Sequence, residues 1–566
     1  MATVAVLSPQ SRATAGVGQR INVLTGLLLA GLLVAGCGAE APAGEPVEAA
    51  TFDAGTEADR EALFDFLVEK TLERDAFASL PYHPVYREHP AGIDVAAEME
   101  RYRDELVAAD TDEKMWFALH KISNARMDRH LNVSPVEGGL VLPDSILREV
   151  EAPLRFMVDF SDLDDRFFFV ADVGEELGEA VSGPAPEPGD RLMGVNGRSA
   201  LDYVEAMRPY QRYSTENHFW WRLAEEITQT SSHVPPFLFY EDELTLELER
   251  RDGTEYTTTV AYRDPSAIRW EGHGERAYPG FSPVAGLDDF ETYALYLPDD
   301  DALPVVLLQW HGFRPDLPEA MDRLMEYAQE HDLLDHHVIV DATRSGGGSR
   351  GAYAVQRLQS QPFRTTFGNL KVSDGMEQWV EDRIERIRAE PASARETVDE
   401  GTWLLEWLEE DVTLAIQEGR MYTNDVPFKG AHAPKWADGI LDPAPVHFRG
   451  GLTVWLSTRG GSHLDQFASQ VVDNNLAHVM GMSAGGFSNT WEFTDTLRFP
   501  TTGAPIVEYE WSMGHSIRPN KEILQYNPAQ VHEYIPQTRE NYFDYHPSLL
   551  RRTLDRIGVT ADGSES

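Results

Sequence analysis

Ser462 stands in the stretch Arg459-Gly-Gly-Ser-His-Leu-Asp-Gln-Phe-Ala-Ser-Gln-Val-Val-Asp-Asn474, shortly after the apolar run Leu452-Thr-Val-Trp-Leu456. Beyond it Leu464, Phe467, Val471 and Val472 recur at helical spacing, so the serine marks a strand-to-helix turn. Such a turn exposes a hydroxyl beside the backbone N–H groups of a helix's first turn, which combines a nucleophile with an anion cradle. A serine that opens a helix also serves as an N-cap. A second run, His337-Val-Ile-Val-Asp-Ala-Thr-Arg-Ser-Gly-Gly-Gly348, carries three glycines past the end of another apolar strand. The Ser345-Gly-Gly-Gly-Ser349 segment lacks the Gly-Lys-Ser/Thr ending that a nucleotide phosphate loop needs.

The two stretches resemble those of the C-terminal-processing and tricorn-type serine peptidases. Ser462, Asp465, Ala468, Asp473 and Asn474 fall without a gap on that family's nucleophile segment, S-x-x-E-x-x-A-x-x-x-x-D-N. The strand ending at Gly348 resembles the family's D-L-R-x-N-G-G-G. The resemblance covers roughly residues 110 to 540. It implies an α/β fold, with a mainly parallel, ClpP/crotonase-like sheet-and-helix catalytic domain. Ser462 is then the nucleophile. The backbone N–H groups of Gly346, Gly347 and His463 are expected to hold the oxyanion, where each donor is worth roughly 3 kcal/mol.

The base is less direct. In the processing branch it is a lysine, but position 487, 25 residues after the serine, holds Phe487, and no lysine lies between Lys435 and Lys521. The tricorn branch instead draws a histidine from its N-terminal region, in the context l-x-D-x-H-T. Ala118-Leu-His-Lys-Ile-Ser-Asn-Ala-Arg-Met-Asp-Arg-His-Leu-Asn-Val133 matches that context and gives His130. A neutral imidazole can take the serine's proton and return it to the leaving amine. Arg129 replaces the serine that precedes the histidine in that branch, and Asp128 reads equally as structural. Lys521-Glu-Ile-Leu-Gln-Tyr-Asn-Pro528 resembles the family's E-G-x-G-V-x-P-D, which places the orienting acid at Glu522. His311 is the reserve base, and His463 and His515 are further imidazoles that could approach. No H-E-x-x-H or other metallopeptidase spacing occurs, so neither metal nor organic cofactor is expected.

The elements that must position these groups follow in order. Residues 55–148 read as a helical N-terminal region, with amphipathic spacing at 61–72, 96–106 and 114–122. Residues 149–265 resemble a PDZ domain through Pro188-Gly-Asp-Arg-Leu-Met-Gly-Val-Asn-Gly197 and a hairpin around Asp252-Gly253, with an insertion at 208–240. Residues 280–545 alternate strand and helix as a catalytic domain, interrupted by an acidic helical insertion at 362–447.

Arg12 and Arg20 precede the apolar run 21–35, which ends in Leu33-Val-Ala-Gly-Cys37 and resembles a bacterial lipoprotein signal. Residues 1–36 are then a signal peptide, Cys37 is the acylated residue and 37–54 is a tether. The expected location is the cell envelope, on a bacterial membrane facing the periplasm or exterior. Cys37 is the only cysteine, so no disulfide or cysteine nucleophile remains. Net charge is −46, and loss of Arg12 and Arg20 brings it to −48, a surface that repels nucleic acid. The resemblance therefore implies a membrane-anchored serine endopeptidase acting on peptides or unfolded proteins. An inactive, peptidase-like scaffold lipoprotein is the alternative that Phe487 and Arg129 raise, and hydrolysis of a non-peptide ester is a third.

Overall fold

The apolar runs read from the sequence assemble into one central sheet. Its strand order is Glu533–Tyr534, His478–Gly481, Leu452–Leu456, His337–Asp341, Val305–Trp310, Tyr293–Pro298, Phe281–Pro283. The five strands from Glu533–Tyr534 to Val305–Trp310 run parallel, and the last two add antiparallel. Alternate residues of each central strand face opposite cores. Val306, Leu308, Val338, Val340 and Val454 pack under the helices Leu317–Glu330, Gly351–Leu358 and His463–Asp473. Leu307, Ile339 and Trp455 pack on Tyr545–Ile557 across the other face. Burial on both faces is why these strands read as unbroken apolar runs rather than alternating ones.

Register decides where the chemistry lies. Asp341 pairs with Trp455, and Leu456 with Gly481. The segments 342–348, 457–461 and 482–487 therefore leave the sheet side by side at the carboxyl ends of the strands, where open α/β sheets carry their sites.

The computed structural model describes residues 54–559 except 84–85, 87–88, 235–242, 288–289, 390–403 and 428–437. Cys37, the expected signal peptide and nearly all of the tether lie outside the described residues. Among the described residues no helix is long and apolar enough to cross a membrane.

The N-terminal region opens on the helix Glu57–Arg74, started by a capping box between Thr56 and Asp59. The helical run expected over 96–106 is two short helices, Val95–Glu100 and Arg103–Val107, because Tyr102 N–H turns back to the Met99 carbonyl. Asp112–Asn124 follows as expected. Residues 149–265 form an antiparallel sheet in the order Leu154–Asp159, Phe167–Val173, Arg191–Val195, Glu243–Glu249, Glu255–Ala261, Val181–Ser182. Helical region and sheet, read as separate segments, bury one joint core that runs from Leu63 and Trp116 through Phe169 and Leu246. The hairpin Glu492–Arg498/Pro505–Ser512 joins that core through Leu497, Ile506 and Trp511. It also pairs with Val133–Ser134, the strand directly after His130.

The insertion at 362–447 has its own small core of Met376, Val380, Trp407 and Leu408, built by Asp374–Ala389 and the π-helical turn Trp407–Val412. Residues 390–403 and 428–437 of this insertion lie outside the described residues.

Candidate active site

Ser462 is held in a backbone conformation that L-residues avoid, φ 59° and ψ −122°, immediately before the helix His463–Asp473. Such a residue costs about 1–3 kcal/mol and persists only where its surroundings enforce it. Here they do. The Ser462 N–H donates to the Phe487 carbonyl at 2.6 Å, and its own carbonyl accepts from Asp465 N–H at 3.0 Å. The side chain caps no helix N–H, and among the described residues its hydroxyl has no hydrogen-bond partner. Ser462 is half-buried rather than turned into packed interior. The capping use of this serine is thereby set aside.

Asp465 gives the spacing between Ser462 and the acid three residues on a physical role. It is fully buried and accepts the N–H groups of Gly486 and Phe487, both at 3.0 Å. It thus clamps the loop whose carbonyl clamps Ser462. Burial pushes its pKa up to about 7 despite those two donors. Further along the same helix, Asp473 pairs bidentately with Arg518 at 2.6 and 3.1 Å, and the Asn474 side chain bonds the backbone of Arg364 on both sides. These two residues anchor the helix from its far end.

Gly347 lies against the serine. A Cβ placed on it would sit 2.6 Å from Ser462 Cβ, closer than real Cβ atoms come, and 3.0 Å from Oγ. Its N–H has no hydrogen-bond partner among the described residues. Gly346 differs from the expectation: its N–H donates to the His311 carbonyl at 3.2 Å and is not available to an oxyanion. Of the expected donors, Gly347 carries the N–H without a bond among the described residues, and the His463 amide lies in the first turn of the helix. Gly347→Ala is expected to lower kcat/KM by roughly a hundredfold or more while leaving the folded fraction unchanged, checked by kinetics beside circular dichroism.

His130 packs against Phe487, the residue whose carbonyl holds Ser462. Its ring meets the Phe487 ring edge-on, with centroids 5.4 Å apart, while the Phe487 backbone holds Ser462. Two carboxylates face Nδ1: Asp128 at 3.7 Å and Glu492 at 3.9 Å, ion-pair rather than hydrogen-bond separations. Asp128 is itself buried and accepts the His130 backbone N–H at 2.9 Å, which fixes the turn. Burial alone lowers the imidazole pKa, but the carboxylates of Asp128 and Glu492 outweigh it, and the net shift is upward from 6.5. Burial likewise works to raise the Asp128 pKa, and its contact with His130 brings it below the usual value.

Glu522 is not brought to this imidazole. Its side chain is 61 % exposed, and its carboxylate takes the amides of Asn520 and Asn527, both at 3.1 Å. The carboxylates that face the imidazole are Asp128, two residues before the histidine, and Glu492 from the hairpin. The other imidazoles are placed elsewhere. His463 accepts the Gly351 N–H in the helical layer, and His515 is buried against Phe77 and Tyr422, bonded to the Ala76 carbonyl. The charged groups that act on His311 are Arg276, Arg314 and Asp341, which surround it away from Asp128 and Glu492.

Two contributors were missed. The insertion at 208–240 supplies the helix Glu216–Glu226, whose N-cap Thr215 donates its hydroxyl to the Gly485 carbonyl at 2.9 Å. One turn on, His218 Nδ1 binds the Thr458 carbonyl at 3.0 Å, and its ring lies 4.7 Å from Phe487. Burial drives the His218 pKa down to about 3, so it is a neutral strut under the nucleophile loop. The Thr-x-x-His spacing within a helix start was the available signal. Glu492 had none, since only tertiary pairing of the hairpin carries it to His130. Among the described residues no group of three or more His, Cys, Asp or Glu converges as a metal site.

No family model matches the chain, and none of the curated proteins matches it. Solved structures do. Mature CPAF aligns at a TM-score of 0.61 and 15% identity, over 89% of this chain and 99% of CPAF. The chain has the fold of CPAF. Mature CPAF complexed with lactacystin aligns equally well, at 0.60 and 15% over 88% and 97% of the two chains. The photosystem II D1 C-terminal processing protease is a more distant neighbour, at 0.37 and 8% over 84% and 93%.

Proposed function

We propose that this protein is a serine endopeptidase with a serine–histidine mechanism, acting on peptides or unfolded proteins. The observation that carries the reading is that Phe487 joins the strained, unpartnered Ser462, held by its carbonyl, to His130, which packs on its ring and is backed by Asp128 and Glu492. Nδ1 faces the carboxylates, so Nε2 is the nitrogen that takes the Ser462 proton as Oγ attacks the scissile carbonyl carbon. The oxyanion develops against the amides of Gly347 and His463. Collapse of the tetrahedral intermediate breaks the C–N bond, and Nε2–H returns the proton to the departing amine. Water, deprotonated by the same nitrogen, then releases the acyl group and restores Ser462. The test is fluorophosphonate labelling of the full chain with mass-spectrometric mapping, together with hydrolysis of an unfolded protein. A label on Ser462 supports the reading, and an unlabelled chain without hydrolysis returns it to a binding or scaffold role. Lactacystin, present in one CPAF structure, is a second probe for the same cleft.

The PDZ-like sheet at 149–265 is read as the element that receives an extended substrate segment. Cys37 is read as the acylation site that fixes the protein to a bacterial membrane, facing the periplasm or exterior, on the strength of the Leu33–Cys37 sequence. Metabolic labelling with an alkyne fatty acid checks it: label is expected on the wild type and lost in Cys37→Ser. A wild type that takes no label would remove the anchor.

A further inference from the structure

Beside His130 the structure gathers positive charge in a chain that carries 94 acidic and only 48 basic residues. Arg129 precedes the base directly, and its backbone N–H donates to Ser214 Oγ at 3.2 Å. Arg212 lies two residues before that serine, and Gln525 Nε2 closes the same junction by donating to Ser214 Oγ at 3.0 Å. Arg222, on the helix Glu216–Glu226, is the third arginine, and the three repel one another.

The carboxylates nearby are already engaged. Both Glu226 oxygens are taken, one by Arg222 and the other by Gln211 Nε2. Glu225 accepts from Arg222 at 3.3 Å and faces Arg459 at 3.9 Å. Glu510 accepts the Asn132 N–H at 2.7 Å, and Glu492 faces His130. Arg222 is thereby neutralised. The guanidinium groups of Arg129 and Arg212 have no hydrogen bond or ion pair among the described residues, although both side chains are partly buried. Burial, followed by the neighbouring arginines, pulls the Arg129 pKa down to about 9 and lowers that of Arg212. Two partly desolvated cations that feel Glu225, Glu226 and Glu510 only at a distance, with no direct ion pair among the described residues, are favourable around an anion.

We propose that Arg129 and Arg212 form an anion subsite on the His130 side of the cleft, and that it takes a carboxylate carried by the peptide substrate. The inference rests on the peptidase reading. The carboxylate has two sources, an acidic side chain or the free C-terminus of the peptide. Guanidinium forks suit either one, since they pair with carboxylates through parallel N–H donors.

The test uses three fluorescent peptides of one sequence: neutral with an amidated C-terminus, the same with one Glu for Gln, and the neutral one with a free C-terminus. Binding is measured by anisotropy on the Ser462→Ala protein, and hydrolysis on the wild type. One carboxylate peptide is expected to bind on the order of 10- to 100-fold more tightly than the neutral amide. Adding Arg212→Gln erases that preference, Arg212→Lys keeps part of it, and the neutral peptide's Kd moves less than twofold in both. Preference for the Glu peptide assigns the subsite to a side chain, and preference for the free acid assigns it to the terminus.

Equal binding of all three peptides overturns the subsite, as does an equal loss for all three in Arg212→Gln. Hydrolysis of all three at one rate by the wild type leaves the peptidase standing and removes the subsite. An Arg212-dependent preference in binding, with no hydrolysis by the wild type, keeps the subsite and removes the peptidase.

Discussion

Alanine at position 462 is expected to lower kcat/KM for peptide hydrolysis by roughly ten-thousand- to million-fold and to abolish fluorophosphonate labelling. The size follows from what remains. The oxyanion donors and substrate binding survive the substitution, so the residual rate stays above that in water, but no oxygen is left to form the acyl-enzyme. The backbone adds a second, independent signature. Ser462 has φ 59°, a region that alanine tolerates no better than serine and glycine enters freely. Ser462→Ala should therefore leave thermal stability close to that of the wild type. Ser462→Gly should be at least as stable as Ser462→Ala while being equally inactive, because relief of about 1–3 kcal/mol of strain exceeds the added chain entropy of about 0.5–1 kcal/mol. A glycine variant that melts well below the alanine variant would mean that the serine side chain stabilises the helix start, and that position 462 is not a strained nucleophile.

The parts of this site that could be read from the letters are those built from contiguous residues. The strands at 305–310, 337–341, 452–456 and 478–481 announce themselves because burial on both faces demands unbroken apolar runs. Ser462, Asp465 and the glycines lie within a few residues of those strands, so a local pattern is enough to place them. His130 could be singled out because the Asp-x-His spacing lies in one short segment, in which Asp128 accepts the His130 N–H. Glu492 was not, because it reaches His130 only after the strand 505–512 pairs with Val133–Ser134 on one side and Glu492–Arg498 on the other. The family-like late segment offered Glu522 instead. The sequence pattern there carries no information on which way the side chain faces, and in the fold Asn520, Asn527 and solvent take it. The amide of Gly346 was misassigned for a related reason. A run of three glycines does not tell which N–H groups are already bonded, and the His311 carbonyl takes the first.

The base offers the second large effect, and its pH dependence separates the two candidate acids. His130→Ala is expected to cost roughly a thousand- to hundred-thousand-fold in kcat/KM, since the proton of Ser462 then has no acceptor. In the wild type the base works only when neutral. Its pKa is raised above 6.5 by Asp128 and Glu492 against the effect of burial, so kcat/KM should rise with pH through that raised pKa and level off above it. Stability runs the opposite way. A histidine held charged by its partners contributes stability that is fully present below pH 6.5 and is lost as pH rises through its folded pKa. Glu492→Gln removes one of the two facing charges while keeping the shape of the side chain. The acid limb of the kcat/KM profile should then move to lower pH, because burial is opposed by Asp128 alone. Glu522→Gln should leave the limb where it is, since among the described residues its carboxylate meets Asn520, Asn527 and Arg518 rather than His130. Parallel pH–rate profiles of the three proteins decide the matter: a limb that shifts with Glu522→Gln and ignores Glu492→Gln would return the orienting role to the late segment and leave the hairpin carboxylate as surface charge.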